Sequence, residues 1–249
     1  MIDDNLVLDA HVRLGQSREA AITSSELVAN MDRLGIDVTL VCPAERFIAV
    51  DNDEGNELVA VAAKASSGRL IPYAVANPWR AGRALESLRR ARSLGAVALA
   101  VDAALQGFDL LDHLVDPLIE LAADFGWPVY VRTGTPPTAL PMPLALLARR
   151  YPEVTFVMGR SGATDFWIDA IPALVHAPNL LADTCYAPWD TILVSFEEHP
   201  QVGPDRVVFS TDTPYTIAQT EVERVLEWPL DPAQRAKVLG GTTRRMLGL

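Results

Sequence analysis

Four apolar runs each end on a polar side chain: Leu6-Val-Leu-Asp-Ala-His11-Val-Arg13, Pro128-Val-Tyr-Val-Arg132, Val154-Thr-Phe-Val-Met-Gly-Arg160 and Val207-Val-Phe-Ser-Thr-Asp212. Short apolar runs of this kind read as strands covered on both faces, so their last polar residues are delivered to the strands' carboxyl ends. His11, Arg13, Arg132, Arg160 and Asp212 are therefore the candidate site residues. Three guanidiniums suit an anion. Each offers forked donors that match carboxylate or phosphate oxygens, and none has a lone pair to give a metal. Asp212 is the candidate general base, kept ionised by neighbouring arginines. His11 is the candidate proton partner, or a hydrogen-bond donor to a developing oxyanion.

The elements that must position these groups are legible as an alternation. Strand-like runs at about 5–11, 37–42, 69–76, 95–101, 128–132, 154–158, 179–184 and 206–212 alternate with segments of helical period. That pattern predicts an α/β fold whose eight parallel strands and crossover helices form a (β/α)8 TIM barrel, a single domain over residues 1–249. Chemistry in such barrels sits at the carboxyl ends of the strands. Side-chain alternation then places Asp9, His11 and Arg13 on one side of the first strand. Thr23-Ser-Ser-Glu26 reads as a capping box, and Asp231-Pro232 as an N-cap followed by proline. Leu111, Leu114, Leu118, Leu121 and Phe125 mark a fourth helix closed by Gly126, and Gly240-Gly241 is expected to end the last one. The proline-rich loop Thr133–Pro143 is expected to wall the site or to serve as a rigid connector. Trp79, Phe166, Trp167, Tyr186 and Trp189 form either an aromatic wall for a planar substrate or ordinary rim packing.

Charge narrows the partners. Against 32 acidic residues stand 21 basic ones, a net charge of −11, which argues against nucleic acid and anionic membranes. A small anionic substrate or ligand is the better partner, and apolar outer helix faces are compatible with a homodimer. Only Lys64 and Lys237 are lysines, so the abundance of arginine says little and its positions say more. No apolar stretch is long enough to span a bilayer, and Met1-Ile-Asp-Asp lacks the features of a signal peptide, so a cytoplasmic location is expected. Cys42 and Cys185 are too few for a disulfide framework.

Several landmarks carry a resemblance. Asp9-x-His11-x-Arg13, Pro128-Val-x-x-Arg132-Thr-Gly, Gly159-Arg160-Ser-Gly162, Asn179-Leu-Leu-Ala-Asp183-Thr184 and Ser210-Thr-Asp212-x-Pro214-Tyr215 fall in the order of the amidohydrolase superfamily. They resemble its branch of hydrolases and non-oxidative decarboxylases that includes aminocarboxymuconate-semialdehyde decarboxylase-like proteins. The family sets D-x-H-x-H after strand one, a histidine after strands five and six, and an aspartate after strand eight, and these hold a divalent ion, usually zinc. Matched residue by residue, this chain keeps His11 and Asp212 and has Arg13, Arg132 and Arg160 in place of histidines.

A guanidinium about 7 Å from a unit positive charge repels it by roughly 2 kcal/mol at an effective dielectric of 20, and a dication by twice that. The expectation is therefore a site with no cofactor, zinc being the ion if there is one. The leading expectation for function is a metal-independent hydrolase or lyase acting on a small carboxylate-bearing molecule, with Asp212 as base and the three arginines as substrate clamp. Histidine-to-arginine drift after loss of a metal would leave the same residues. The alternatives are thus a catalytically inactive barrel that binds an anion or acts as a scaffold, and metal-dependent catalysis from an incomplete ligand shell.

Overall fold

The computed structural model describes residues 2, 5–135, 138–162, 167–186, 193, 195–196 and 198–249. Nine strands form one sheet: β1 (Leu8–Gln16), β2 (Ala21–Ile22), β3 (Val38–Pro43), β4 (Leu70–Val75), β5 (Ala98–Val101), β6 (Val129–Arg132), β7 (Phe156–Gly159), β8 (Leu180–Asp183) and β9 (Val207–Val208). The order is β2-β1-β3-β4-β5-β6-β7-β8-β9, parallel throughout except for the antiparallel β1–β2 pair. The eight predicted runs are all present. The short β2, which folds back on the end of β1, was not foreseen, and β9 stops four residues before Asp212.

Alternation along the strands sorts their side chains into two apolar clusters. Ala10, Leu40, Tyr73, Ala98, Tyr130, Val157, Leu181 and Val208, one from each of the eight parallel strands, pack together in one. Their neighbours, such as Val129 and Val131 around Tyr130, pack outward among the helices. The two ends of the sheet are bridged by backbone bonds: Ala10 N–H donates to Phe209 O at 2.8 Å, Asp212 N–H to His11 O at 3.1 Å and Arg13 N–H to Thr213 O at 2.7 Å.

The crossover helices follow their local signals. Helix α1 (Ser24–Leu34) starts at the Thr23 capping box with Glu26 and stops at Gly35 in the left-handed region. Helices α2 (Glu45–Ala49), α3 (Asn52–Ala65), α4 (Gly82–Ser93) and α5 (Ala103–Gln106) come next. Helix α6 spans Asp116–Phe125 and ends at left-handed Gly126, so the expected helical stripe begins five residues late; Leu111 and Leu114 pack on the core from a non-helical lead-in. Helices α7 (Pro141–Arg150), α8 (Ala170–His176), α9 (Ala218–Glu227), α10 (Pro232–Ala236) and α11 (Thr242–Leu247) complete the chain. Gly240-Gly241 does not end a helix as expected. The pair lies in a wider π turn, Lys237–Gly241, that leads straight into α11, where tight contact with the backbone of Leu6, just before β1, leaves no room for a side chain at Gly240.

Gly159 positions the site directly. A Cβ there would lie 2.3 Å from Tyr130 Cζ, and the Tyr130 ring stacks on His11 with centroids 4.0 Å apart and planes 1° from parallel. Gly159→Ala is expected to cost about 1–3 kcal/mol by overpacking and to displace that stack; unchanged stability in urea would contradict this placement.

Candidate active site

Of the five sequence-nominated residues, His11 and Arg13 lie within β1, Arg132 ends β6, Arg160 directly follows β7 and Asp212 lies four residues past β9. The structure gathers them into two ion clusters rather than one clamp. In the first, Asp212 Oδ2 accepts from Arg160 Nε at 2.9 Å and lies 2.6 Å from Arg160 Nη2, while Asp212 Oδ1 lies 3.3 Å from His11 Nδ1. In the second, Asp102 Oδ2 accepts from Arg13 Nη2 at 2.8 Å and from Arg132 Nη1 at 3.4 Å. Arg13 Nη1 also lies 3.9 Å from Glu45 Oε1 at the rim.

Asp102 is the important residue that sequence reasoning missed. Its signal was present: Ala98-Leu-Ala-Val101 is another apolar run ending on a polar side chain, and the expected strand stops one residue short of it. The carboxylate is fixed from several sides. Its Oδ1 accepts from Leu105 N–H, capping α5, and its backbone N–H donates to Gln106 Oε1. The Gln106 amide donates in turn to Ile48 O and Ala76 O. Asp102, Arg13, His11 and Asp212 are all buried.

Two tyrosines line the guanidiniums. Arg160 Cζ lies 4.3 Å from the Tyr186 ring centre and 5.7 Å from that of Tyr215, and Arg13 Cζ lies 5.4 Å from Tyr215. Of the other aromatics, Trp79 is exposed and donates its indole N–H to Gln106 O, and Trp167 packs on the core. Phe166 and Trp189 lie outside the described residues, as do Pro136 and Pro137 of the proline-rich loop.

Backbone strain concentrates here. Arg160, Ser161, Tyr186 and Asp212 all have positive φ, at 63°, 46°, 60° and 50°, a region costly for residues with a Cβ and tolerated where surroundings fix it. At Asp212 the fixing is explicit, through its N–H bond to His11 O. Ser161 is held by its hydroxyl bond to Asp183 O.

Charge states follow from burial and neighbours. Burial keeps His11 neutral by lowering its pKa, against the opposing pull of Asp212. Although burial works the other way, hydrogen bonding to His11 and the Arg160 charge hold Asp212 well below the usual carboxylate range. Asp9 does not join the arginines. A shift of register in β1 between Asp9 and Val12 lets its carboxylate accept from Thr211 N–H and Thr211 Oγ1, and burial raises its pKa to about 7. Burial likewise raises Glu221 on α9 to about 7 and Asp183, which accepts from Tyr130 Oη, well above its ordinary value.

These shifts fix a pH dependence. Asp9 and Glu221 start from ordinary values of 3.8 and 4.5, so between roughly pH 4 and 7 the folded chain holds more protons than the unfolded one. Each of these groups lowers stability as pH rises through that window, by about 1.4 kcal/mol per unit; His11, with its pKa lowered, opposes them only below its ordinary value of 6.5, and Asp183 adds to the fall. Asp212 acts oppositely at lower pH: its contribution is present above its unfolded pKa and lost as pH falls through the folded one. The Tm is therefore expected to be higher near pH 5.5 than near pH 8, with the difference reduced in Asp9→Asn; a Tm that rises over that range would contradict the assignment.

Comparisons with known proteins place this geometry. The sequence signature described as amidohydrolase matches residues 9–249. None of the curated proteins compared matches the chain in sequence. Among solved structures, 5-carboxyvanillate decarboxylase from Sphingomonas paucimobilis superposes with a TM-score of 0.79 at 15% identity, covering 98% of this chain and 99% of that one. The 2,6-dihydroxybenzoate decarboxylase from Rhizobium does so with a TM-score of 0.76 at 16% identity, over 98% and 99%. A dihydroxybenzoic acid decarboxylase from a Polaromonas species, crystallised with manganese and the inhibitor 2-nitroresorcinol, gives 0.74 at 16%, over 98% and 97%. At these identities the likeness is one of fold.

The manganese corrects one expectation. Structural neighbours of this fold carry a divalent ion, so the expectation of a site without a cofactor is withdrawn. The donor set of this chain is a separate observation. Among the described residues, no group of three or more His, Cys, Asp or Glu side chains is arranged to hold a metal ion. His11 and Asp212 stand alone beside two guanidiniums, and catalytic ions ordinarily take three protein ligands. These residues do not fit a divalent ion on their own.

Proposed function

The chain belongs to the amidohydrolase family, and on that premise we propose that it is a hydrolase or lyase acting on a small carboxylate-bearing molecule within a single-domain (β/α)8 barrel. The observation that carries this reading is the Arg13–Asp102–Arg132 cluster, in which the buried Nε of Arg13 and of Arg132 lack a hydrogen-bond acceptor, while Arg160, paired with Asp212, shares the Tyr215 ring with Arg13. A buried guanidinium N–H without a partner is costly, and a substrate carboxylate supplies the missing acceptors. That the fold neighbours act on carboxylated aromatics supports the same substrate class and favours loss of CO₂ as the lyase reaction.

Asp212 and His11 are the proposed proton-transfer pair. Together they hold a neutral imidazole and an ionised carboxylate, so the pair has a vacancy for one proton. In hydrolysis, Asp212 takes it from water as the water oxygen bonds the electrophilic carbon, the arginines stabilise the negative charge that develops there, and the proton is returned through the pair to the leaving group as the scissile bond breaks. Arg160 tunes this step. While it is bonded to Asp212 it lowers that carboxylate's proton affinity, and a substrate anion drawing on Arg160 restores it, so Asp212 becomes an effective base when the site is filled.

The test is a thermal-shift panel of small carboxylates and inorganic phosphate, run with and without added manganese. An anion that binds only the folded state at 100 times its Kd stabilises it by about 2.7 kcal/mol. Carboxylates are expected to raise the Tm, and Arg132→Gln to reduce the effect. No shift with any anion would overturn the reading.

A further inference from the structure

We propose that this site selects monocarboxylates over dicarboxylates, and that Asp102 is the residue that sets the choice. The inference rests on the carboxylate-binding function proposed above and narrows its substrate class. It comes from the ion pairs. Among the described residues, Arg13, Arg132 and Arg160 bring three positive charges to the strand ends, and Asp102 and Asp212 bring two negative ones within hydrogen-bond distance. His11 is neutral. The site therefore carries at most one uncompensated positive charge, and Glu45, 3.9 Å from Arg13, reduces it further. Asp9, Asp183 and Glu221 stand behind the site, and any fraction of them that ionises adds negative charge.

A single carboxylate balances that excess. Three donors on the guanidiniums that Asp102 holds together lack acceptors, Arg13 Nε, Arg13 Nη1 and Arg132 Nε, and the two oxygens of one carboxylate supply acceptors for the two Nε atoms. A second carboxylate would leave the site with net negative charge among buried groups. At an effective dielectric near 20, one extra unit charge about 10 Å from another of the same sign weakens binding by roughly tenfold. Asp102 decides this because it neutralises one of the two guanidiniums it bridges. Three arginines without it would suit a dianion.

The experiment measures binding to the full chain by calorimetry near neutral pH, with probes matched in skeleton: butyrate against glutarate and benzoate against isophthalate. In the native protein the monocarboxylate of any pair that binds is expected to bind about tenfold tighter. Asp102→Asn adds one positive charge and should reverse the order within the pair, a change of about 10- to 100-fold in the ratio that a merely structural role would not produce. Should Asp102→Asn fail to fold, Arg132→Gln, at a partly exposed position, removes one positive charge and should weaken the monocarboxylate about tenfold while widening its preference over the dicarboxylate. Tighter or equal binding of the dicarboxylates to the native protein overturns the selection and leaves the carboxylate-binding function standing. An unchanged ratio in the folded Asp102→Asn variant overturns the role of Asp102. Binding of none of the four probes overturns the proposed function and this inference with it.

Discussion

Asp212→Asn is expected to lower turnover of a carboxylate substrate by about 10²- to 10⁴-fold, the range for losing a positioned proton acceptor, while leaving the substrate bound. The asparagine amide oxygen is isosteric with the carboxylate and can still accept from Arg160 Nε. The bond that shapes the site is therefore conserved while the proton vacancy facing His11 disappears. Arg160 loses its counter-charge and becomes more available to an anion, so binding should hold or tighten as the rate falls. A fall in kcat with KM unchanged or lower is the signature. Turnover within about twofold of the native rate would remove Asp212 from the chemistry.

Asp102→Ala should produce a large loss of stability, about 3–5 kcal/mol, because it strips the shared counter-ion from two guanidiniums. Arg13 bears most of this, being 2% exposed, whereas Arg132 can turn outward. Alanine also removes the cap on Leu105 N–H and loosens the Gln106 contacts to Ile48 O on α2 and to Ala76 O just past β4. The defect should respond to anions more strongly than the native protein does, since an added carboxylate now replaces a missing internal one. Denaturation in urea with and without benzoate measures both effects. A loss under about 1 kcal/mol would mean that the two arginines are solvated in the native state and that their burial has been misplaced.

The order of strands and the identity of their terminal polar residues were legible because both depend on local patterning. Apolar runs of four to six residues ending in Arg, His or Asp place those groups at one end of a parallel sheet, whatever the helices do. Charge pairing was less legible because it depends on which strand lies opposite which. Asp9, two residues before His11, was the natural counter-ion by proximity in sequence, yet the irregular register of β1 turns it to Thr211. Asp102, 89 residues from Arg13, took that role. Tyr130 was hidden for a similar reason: it reads as a strand residue, and only the close approach of Gly159 explains why its ring stacks on His11. The glycine pair at 240–241 misled because glycine marks helix ends when free to turn left-handed, whereas here Gly240 is small to admit the backbone of Leu6. The expected absence of a cofactor rested on the missing histidines and on repulsion by three guanidiniums, and the manganese of the fold neighbours overturns it.

In the proposed function, the paired guanidiniums of Arg13 and Arg132 receive a substrate carboxylate, and a crystal structure of the protein with bound benzoate would show the contact itself. The carboxylate oxygens are expected within about 3 Å of the Nε atoms of Arg13 and Arg132, with the ring toward Asp212 and His11. Benzoate seated elsewhere, with those two nitrogens still lacking an acceptor, would contradict it.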